Sequence, residues 1–292
     1  MKKCVAFTFL LTLLITCFCA SRSEAAETVI VADRKLRPVV EIISGIRKTL
    51  ASSTSVYSPA ETRGKLRAIV ERERAKVVVA LGSEALKEAL QLPPEITVVY
   101  DLVATPPKTV RSNVTGFYIA TPVKQYLDLI NTHLRSIKRI TVIGTRDQLN
   151  ILVGEATQQI TQQSVINSFE LTNALRQTSG MDAILLLPDV SLLTAAAIEE
   201  AYLLSFRKKI PLLGISEKQV KEGALLALVA DTVHVGRQIG DYASKALKGV
   251  PIGQLPPSPP RRFELFLNTE TARKMGIRIP DELLRMAKRV YP

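Results

Sequence analysis

Residues 181–216, MDAILLLPDVSLLTAAAIEEAYLLSFRKKIPLLGIS, constrain the fold more than any other stretch of this chain. They read as strand, helix, strand, and residues 183–187 and 210–213 are both unbroken apolar runs. Strands apolar on both faces need cover on both faces, which a parallel α/β sheet supplies and an open antiparallel sheet does not. The first run stops at Pro188, Asp189 and Ser191, the second at Gly214, Ile215 and Ser216. The carboxyl ends of neighbouring strands therefore carry a carboxylate, hydroxyls and free amides along one edge, where open α/β sheets bind ligands.

The rest of the chain repeats this alternation in two series. Before residue 120, strands are expected at 28–32, 53–57, 77–81 and 97–100, with helices over 39–50, 59–76 and 84–90 between them. A polar, proline-containing loop at 104–113 then leads to Asn113-Val-Thr115-Gly116. The second series starts with a helix from Val123 and a strand at 139–144. A helix through Gln163, a strand at 165–171 and the 181–216 unit follow. An apolar run at 223–229 ends in Asp231, and a helix over 233–247 stops at Gly249 and Pro251. Proline-rich residues 256–260 precede a strand at 262–267 and helices at 269–275 and 281–290. The expected division is a leader at 1–26, a first α/β lobe at 27–120, a second at 121–255, and a segment at 256–292 crossing back to the first lobe.

A chain of 292 residues with 47% hydrophobic content is long enough for two cores. Lys2 and Lys3, the apolar stretch 5–18 and the small residues Ser23, Ala25 and Ala26 read as a cleaved secretory signal, which places the mature protein in the periplasm. A lipid anchor at Cys17 is the alternative. Cys4, Cys17 and Cys19 all fall in this segment, so cleavage near Ala26 leaves a soluble monomer without thiols. The net charge of +12 is spread over helices instead of run together, and export argues against a nucleic-acid partner.

Catalytic apparatus is missing from the pattern. His133 and His234 stand alone on helical stretches, and without cysteine they make no metal set. No nucleophile elbow, phosphate loop or dinucleotide fingerprint occurs, so the reading is a binder, with no enzymatic activity, no cofactor and no metal. Strand-end carboxylates in a binder meet a ligand ammonium or hydroxyl. The expected first-lobe contacts are Gly82, Ser83, Asp101 and Thr115. Those of the second lobe are Asp189, Ser191, Ser216 and Asp231. Two alternatives stay open: Ser83 as a plain helix cap instead of an anion contact, and Asp189 as the cap of a helix starting near Ser191.

Several stretches in this order resemble the ABC-transporter substrate-binding proteins that include tryptophan- and tyrosine-uptake members: NVTGF (113–117), AILLLPD (183–189), KKIPLLGIS (208–216), EGALLALVAD (222–231), VGRQIGDYASKALKGVP (235–251) and FELFLNTETARKMGIRIPDELLRMAKRV (263–290). The resemblance implies a type I periplasmic-binding fold. Two Rossmann-like lobes with parallel sheets, joined by a multi-strand hinge, would close on a small ligand held in the cleft. It also implies an ABC permease in the inner membrane as partner, a ligand-sensing module docked on a membrane receptor or sensor kinase being the alternative. The chain departs from the family where Gly82-Ser83 replaces Gly-Thr, and where Asp101-Leu102 and a loop with Pro106, Pro107, Lys108 and Arg111 replace Asp-Pro and a glycine-rich loop.

Overall fold

The computed structural model describes residues 27–108, 111–154, 158–189 and 191–292, so the stretch read as a signal lies outside it. The chain forms two sheets. The first is built from β1 (Thr28–Ala32), β2 (Thr54–Tyr57), β3 (Val77–Leu81), β4 (Thr97–Asp101) and β5 (Val114–Gly116), in the order β2-β1-β3-β4-β5 and parallel throughout. β1 and β3 are buried at every residue, because helices cover both faces. Helix α1 (Arg37–Thr49) sends Val39, Ile42 and Ile46 onto one face. After the short α2 (Pro59–Thr62), α3 (Leu66–Glu73) and α4 (Ser83–Ala89) bring Leu66, Ile69, Ala85 and Leu86 to the core on the other face.

The second sheet holds β6 (Ile140–Gly144), β7 (Ile160–Ser164), β8 (Ala183–Leu186), β9 (Leu212–Gly214), β10 (Leu226–Ala230), β11 (Phe263–Asn268) and β12 (Ala287–Tyr291). Its order is β12-β11-β10-β9-β8-β6-β7. The strands from β7 to β10 are parallel, β11 runs against β10, and β12 follows β11. Helices α7 (Ser168–Gln177) and α8 (Ala195–Lys208) close one face with Leu171, Leu175, Ala201 and Leu204. Helix α5 (Val123–His133) buries Val123, Tyr126 and Ile130, and the Tyr126 hydroxyl donates to the Gly214 carbonyl at 2.8 Å.

The chain passes between the sheets at three places. It leaves the first after β5, through residues 117–122. It returns directly from β10 into α10 (Thr232–Leu247), which lies along α1 in the first lobe. Glycines permit this approach: a Cβ on Gly45 would stand 2.3 Å from the Val233 carbonyl oxygen, and one on Gly236 would stand 2.2 Å from that of Ile42. The 3₁₀ turn Ile252–Gln254 follows, and Ser258 bridges to Phe117 at the sheet edge before residues 259–262 lead into β11.

Two lobes with mostly parallel sheets are as expected, but the return to the first lobe falls earlier and a further crossing follows it. The expectation is a second lobe over 121–255 and a return to the first over 256–292. Instead α10 packs on the first lobe, while β11, α11 (Thr269–Met275), α12 (Asp281–Met286) and β12 extend the second. The edge strand β7, ITQQS, has only Ile160 buried, so the apolar 165–171 stretch drew the strand assignment that belongs to 160–164. The expected 59–76 helix is split at residues 63–65, and the 281–290 helix ends at Met286 and becomes β12.

Candidate functional site

The expected first-lobe contacts separate into a set that meets and one that is used elsewhere. β3 runs into Gly82, whose φ of 101° is readily reached by glycine, and Ser83 then opens α4. The Gly82 amide donates to the Asp101 carbonyl at 2.8 Å, fastening the end of β3 to the end of β4. Gly82, Ser83 and Asp101 thus share one rim. Ser83 lines a 350 Å³ hollow under the 103–107 loop, with Leu86, Lys87, Val103 and Thr105.

Asp101 is the unusual group on this rim. It is 2% exposed, and its Oδ1 has no hydrogen-bond partner. Burial pushes its carboxyl up to about 7, against a smaller lowering by the Leu102 amide. Leu102 itself takes a left-handed backbone with φ 58°, a conformation that costs a non-glycine residue about 1 kcal/mol or more. A sealed carboxylate oxygen without a donor is expensive. Thr115 differs: it is fully buried, and its hydroxyl donates to the Leu255 carbonyl at 2.8 Å. Its hydroxyl is engaged within the chain, where it anchors the crossing segment.

The second-lobe candidates follow strand ends, and Asp189, Ser216 and Asp231 each accept from nearby backbone amides, while the Ser191 hydroxyl donates to Asp189. Asp189 Oδ1 accepts from the Ser191 amide (2.8 Å), the Ser191 hydroxyl (2.5 Å) and the Leu192 amide (3.3 Å). That closes a turn ahead of α8, whose cap is Thr194, so Asp189 does not cap a helix near Ser191. Ser216 caps α9 (Glu217–Glu222) through the Gln219 amide. Asp231 caps α10, accepting from the His234 amide at 2.9 Å. Such caps satisfy amides that the first turn leaves open.

Other residues on the facing rims escaped the sequence reading. Thr145 and Gln148 form a capping box on α6 (Arg146–Leu152), and Gln148 Nε2 donates to the Pro188 carbonyl at 2.5 Å, tying the end of β6 to that of β8. The T-x-x-Q spacing of Thr145-Arg-Asp-Gln148 was a legible signal for the cap. Lys108, on the first-lobe loop, pairs with Asp147 of α6 at 2.8 Å, joining the lobes at their exposed margin. Nothing in the sequence couples those two positions. Where α1 faces the second lobe, a 250 Å³ cavity is lined by Arg37 and Glu41 on one side and Ser216, Lys218 and Lys288 on the other. There the Thr232 hydroxyl donates to Glu41 at 2.5 Å and, ahead of Arg37, holds that carboxyl below its usual range.

Among the described residues no group of three His, Cys, Asp or Glu side chains is placed to hold a metal. No helix there is long and apolar enough to cross a membrane. Two α/β lobes joined by three crossings give the type I periplasmic-binding architecture. The chain belongs to the ABC transporter substrate binding protein family, whose model matches residues 72–291. It is 20% identical over 222 residues to a tyrosine-binding protein of Clostridioides difficile (strain R20291), covering 70% of this chain and 64% of that protein's length. Its fold matches the ligand-free, open structure of a substrate binding protein with adhesive properties from Clostridium difficile, with a TM-score of 0.66, 16% identity, and 91% and 99% of the two chains covered. It also matches an ABC domain in complex with L-Trp from Streptococcus pneumonia, with a TM-score of 0.60, 19% identity, and 90% and 99% covered.

Proposed function

We propose that this protein is the exported, periplasmic capture component of an ABC importer, working as a monomer that takes a small amino-bearing molecule of the amino-acid class between its lobes and passes it to an inner-membrane permease. Asp101 carries the reading. A buried carboxylate with an unpartnered oxygen, at the carboxyl end of a central strand, is suited to a ligand ammonium, which would supply the missing donor and hold the group ionised. The relatives named for tyrosine and L-Trp support an amino acid as cargo. Ser83 adds a hydroxyl on the same rim, and the second-lobe strand ends at Asp189, Ser191, Ser216 and Asp231 offer the facing surface.

The test is mass spectrometry of small molecules released from the purified protein, followed by calorimetry of each against the parent and Asp101→Asn. An amine that binds the parent and is weakened in Asp101→Asn by up to about 3 kcal/mol supports the assignment, that being the scale of a charged hydrogen bond. A tightly held ligand without a basic nitrogen, bound equally by both proteins, overturns it.

A further inference from the structure

The outer face of α1, away from the cleft, carries a feature that ligand capture does not use. Leu36, Val40, Ser44 and Arg47 recur at spacings of four, four and three, so they form one stripe along the helix. The inward face of the same helix is spent on the core through Val39, Ile42 and Ile46, yet Leu36 and Val40 remain 54% and 52% exposed. Beside the stripe, a hollow of 430 Å³ is floored by Val40, Ile43 and Val56 and bordered by Arg34, Arg47 and Lys48, with no acidic residue in its lining. Among the described residues, none of these three cations forms an ion pair. Arg37 holds Glu41, and the Glu61 carboxylate near Arg34 is occupied by the Ser58 amide and hydroxyl.

We propose that this face of α1, with Arg34, Arg47 and Lys48 around exposed Leu36 and Val40, docks the first lobe on an anionic phospholipid surface. The charge complementarity is direct: phosphodiester headgroups supply the anions that the chain does not, and the aliphatic stripe meets the headgroup and acyl boundary, as in an interfacial amphipathic helix. The cations lie near both ends of a helix about 20 Å long, on exposed side chains. That arrangement suits a fluid array of headgroups, whereas an acidic protein partner would be read by fixed donors. The helix is already folded against the sheet, so docking costs no ordering of backbone. Attraction of this kind is screened by salt.

The experiment is co-sedimentation of the protein, purified as its producing cell exports it, with vesicles of phosphatidylcholine alone or mixed with phosphatidylglycerol. The parent is expected to bind the mixed vesicles only, and to be released as salt rises. The R34Q/R47Q/K48Q variant should lose on the order of 100-fold in partitioning, from about 1 kcal/mol for each cation near an anionic surface. Val40→Asp should also weaken binding, while R207Q/K221Q/R285Q, which removes as much charge from the second lobe, should leave it unchanged. Three outcomes overturn the proposal: no binding of the parent to the mixed vesicles, equal binding to neutral vesicles, or equal loss in the two triple variants. The first points to an acidic protein partner for this face, and the last to net charge alone.

Discussion

The two rims that face each other across the cleft handle their carboxylates in opposite ways. On the second lobe, Asp189 and Asp231 sit at strand ends and direct an oxygen to amides of their own turn or helix. On the first lobe, Asp101 also ends a strand but is 2% exposed, with one oxygen unpartnered. The second-lobe carboxylates therefore contribute to folding, whereas burying Asp101 with an unpartnered oxygen costs folding free energy. A buried group kept at a cost to stability is a candidate for function, because folding alone would select against it.

The largest effect that sharpens this contrast is in the pH dependence of the ligand-free protein. Asp101 is raised from its ordinary 3.8 to about 7. Between those values the folded protein keeps a proton that the unfolded chain has released, so stability falls as pH rises through the window and levels off above it. The full loss is about 4 kcal/mol. Asp101→Asn removes the titrating group, and its melting temperature should therefore exceed the parent's at pH 8 and approach it near pH 4. Parallel melting curves for the two proteins would remove the distinction between the rims.

Next in size is the response of binding. An ammonium ligand pairs with ionised Asp101, so affinity should rise by about tenfold per pH unit below about 7 and flatten above it. Calorimetry of the released ligand from pH 5 to pH 8 measures this, and Asp101→Asn should show a flat profile. Asp189→Asn, with its local hydrogen bonds on the other rim, should keep the parent's slope.

How much of this was legible in the sequence depends on how local each cause is. The strand ends were readable, since apolar runs stopping at Gly82, Asp101, Asp189 and Ser216 mark them directly. The burial of Asp101 was not, because tertiary packing sets it and the neighbouring residues in the chain do not. The anchoring of Thr115 was not legible either, because its partner, the Leu255 carbonyl, lies 140 residues further along the chain. The amphipathic pattern of residues 233–247 shows that α10 has an inward face, but not which sheet that face meets. Only Gly236 and Gly240, one turn apart and set against the α1 segment around Gly45, hint at the close contact that takes it to the first lobe. Polar β7 lacks the alternation by which strands are recognised.

A smaller effect tests the second rim alone. Asp231→Ala removes the cap of α10, the helix that connects the lobes, and should cost about 1 kcal/mol of stability. Asp231→Asn keeps a capping oxygen and should recover most of it. If Asp231→Asn instead loses ligand affinity with its melting temperature intact, then Asp231 is a ligand contact and the second rim is not spent on folding.

The smallest effect lies where the rims touch. Lys108 and Asp147 pair at 2.8 Å, but their side chains are 84% and 60% exposed, so water and salt compete for both charges. An exposed pair of this kind contributes at most about 1 kcal/mol. Because the pair spans the lobes, its contribution belongs to closure and not to the stability of either lobe. Lys108→Ala should leave the melting temperature unchanged while weakening ligand affinity by up to about fivefold at low salt. The difference should vanish at high salt, where the screening length drops to about 3 Å. Reversing both charges, Lys108→Asp with Asp147→Lys, should restore the parent's affinity if the pair acts across the cleft. Failure of that rescue would leave Lys108 as a contributor to the loop alone, and Asp101 as the feature by which the first rim differs from the second.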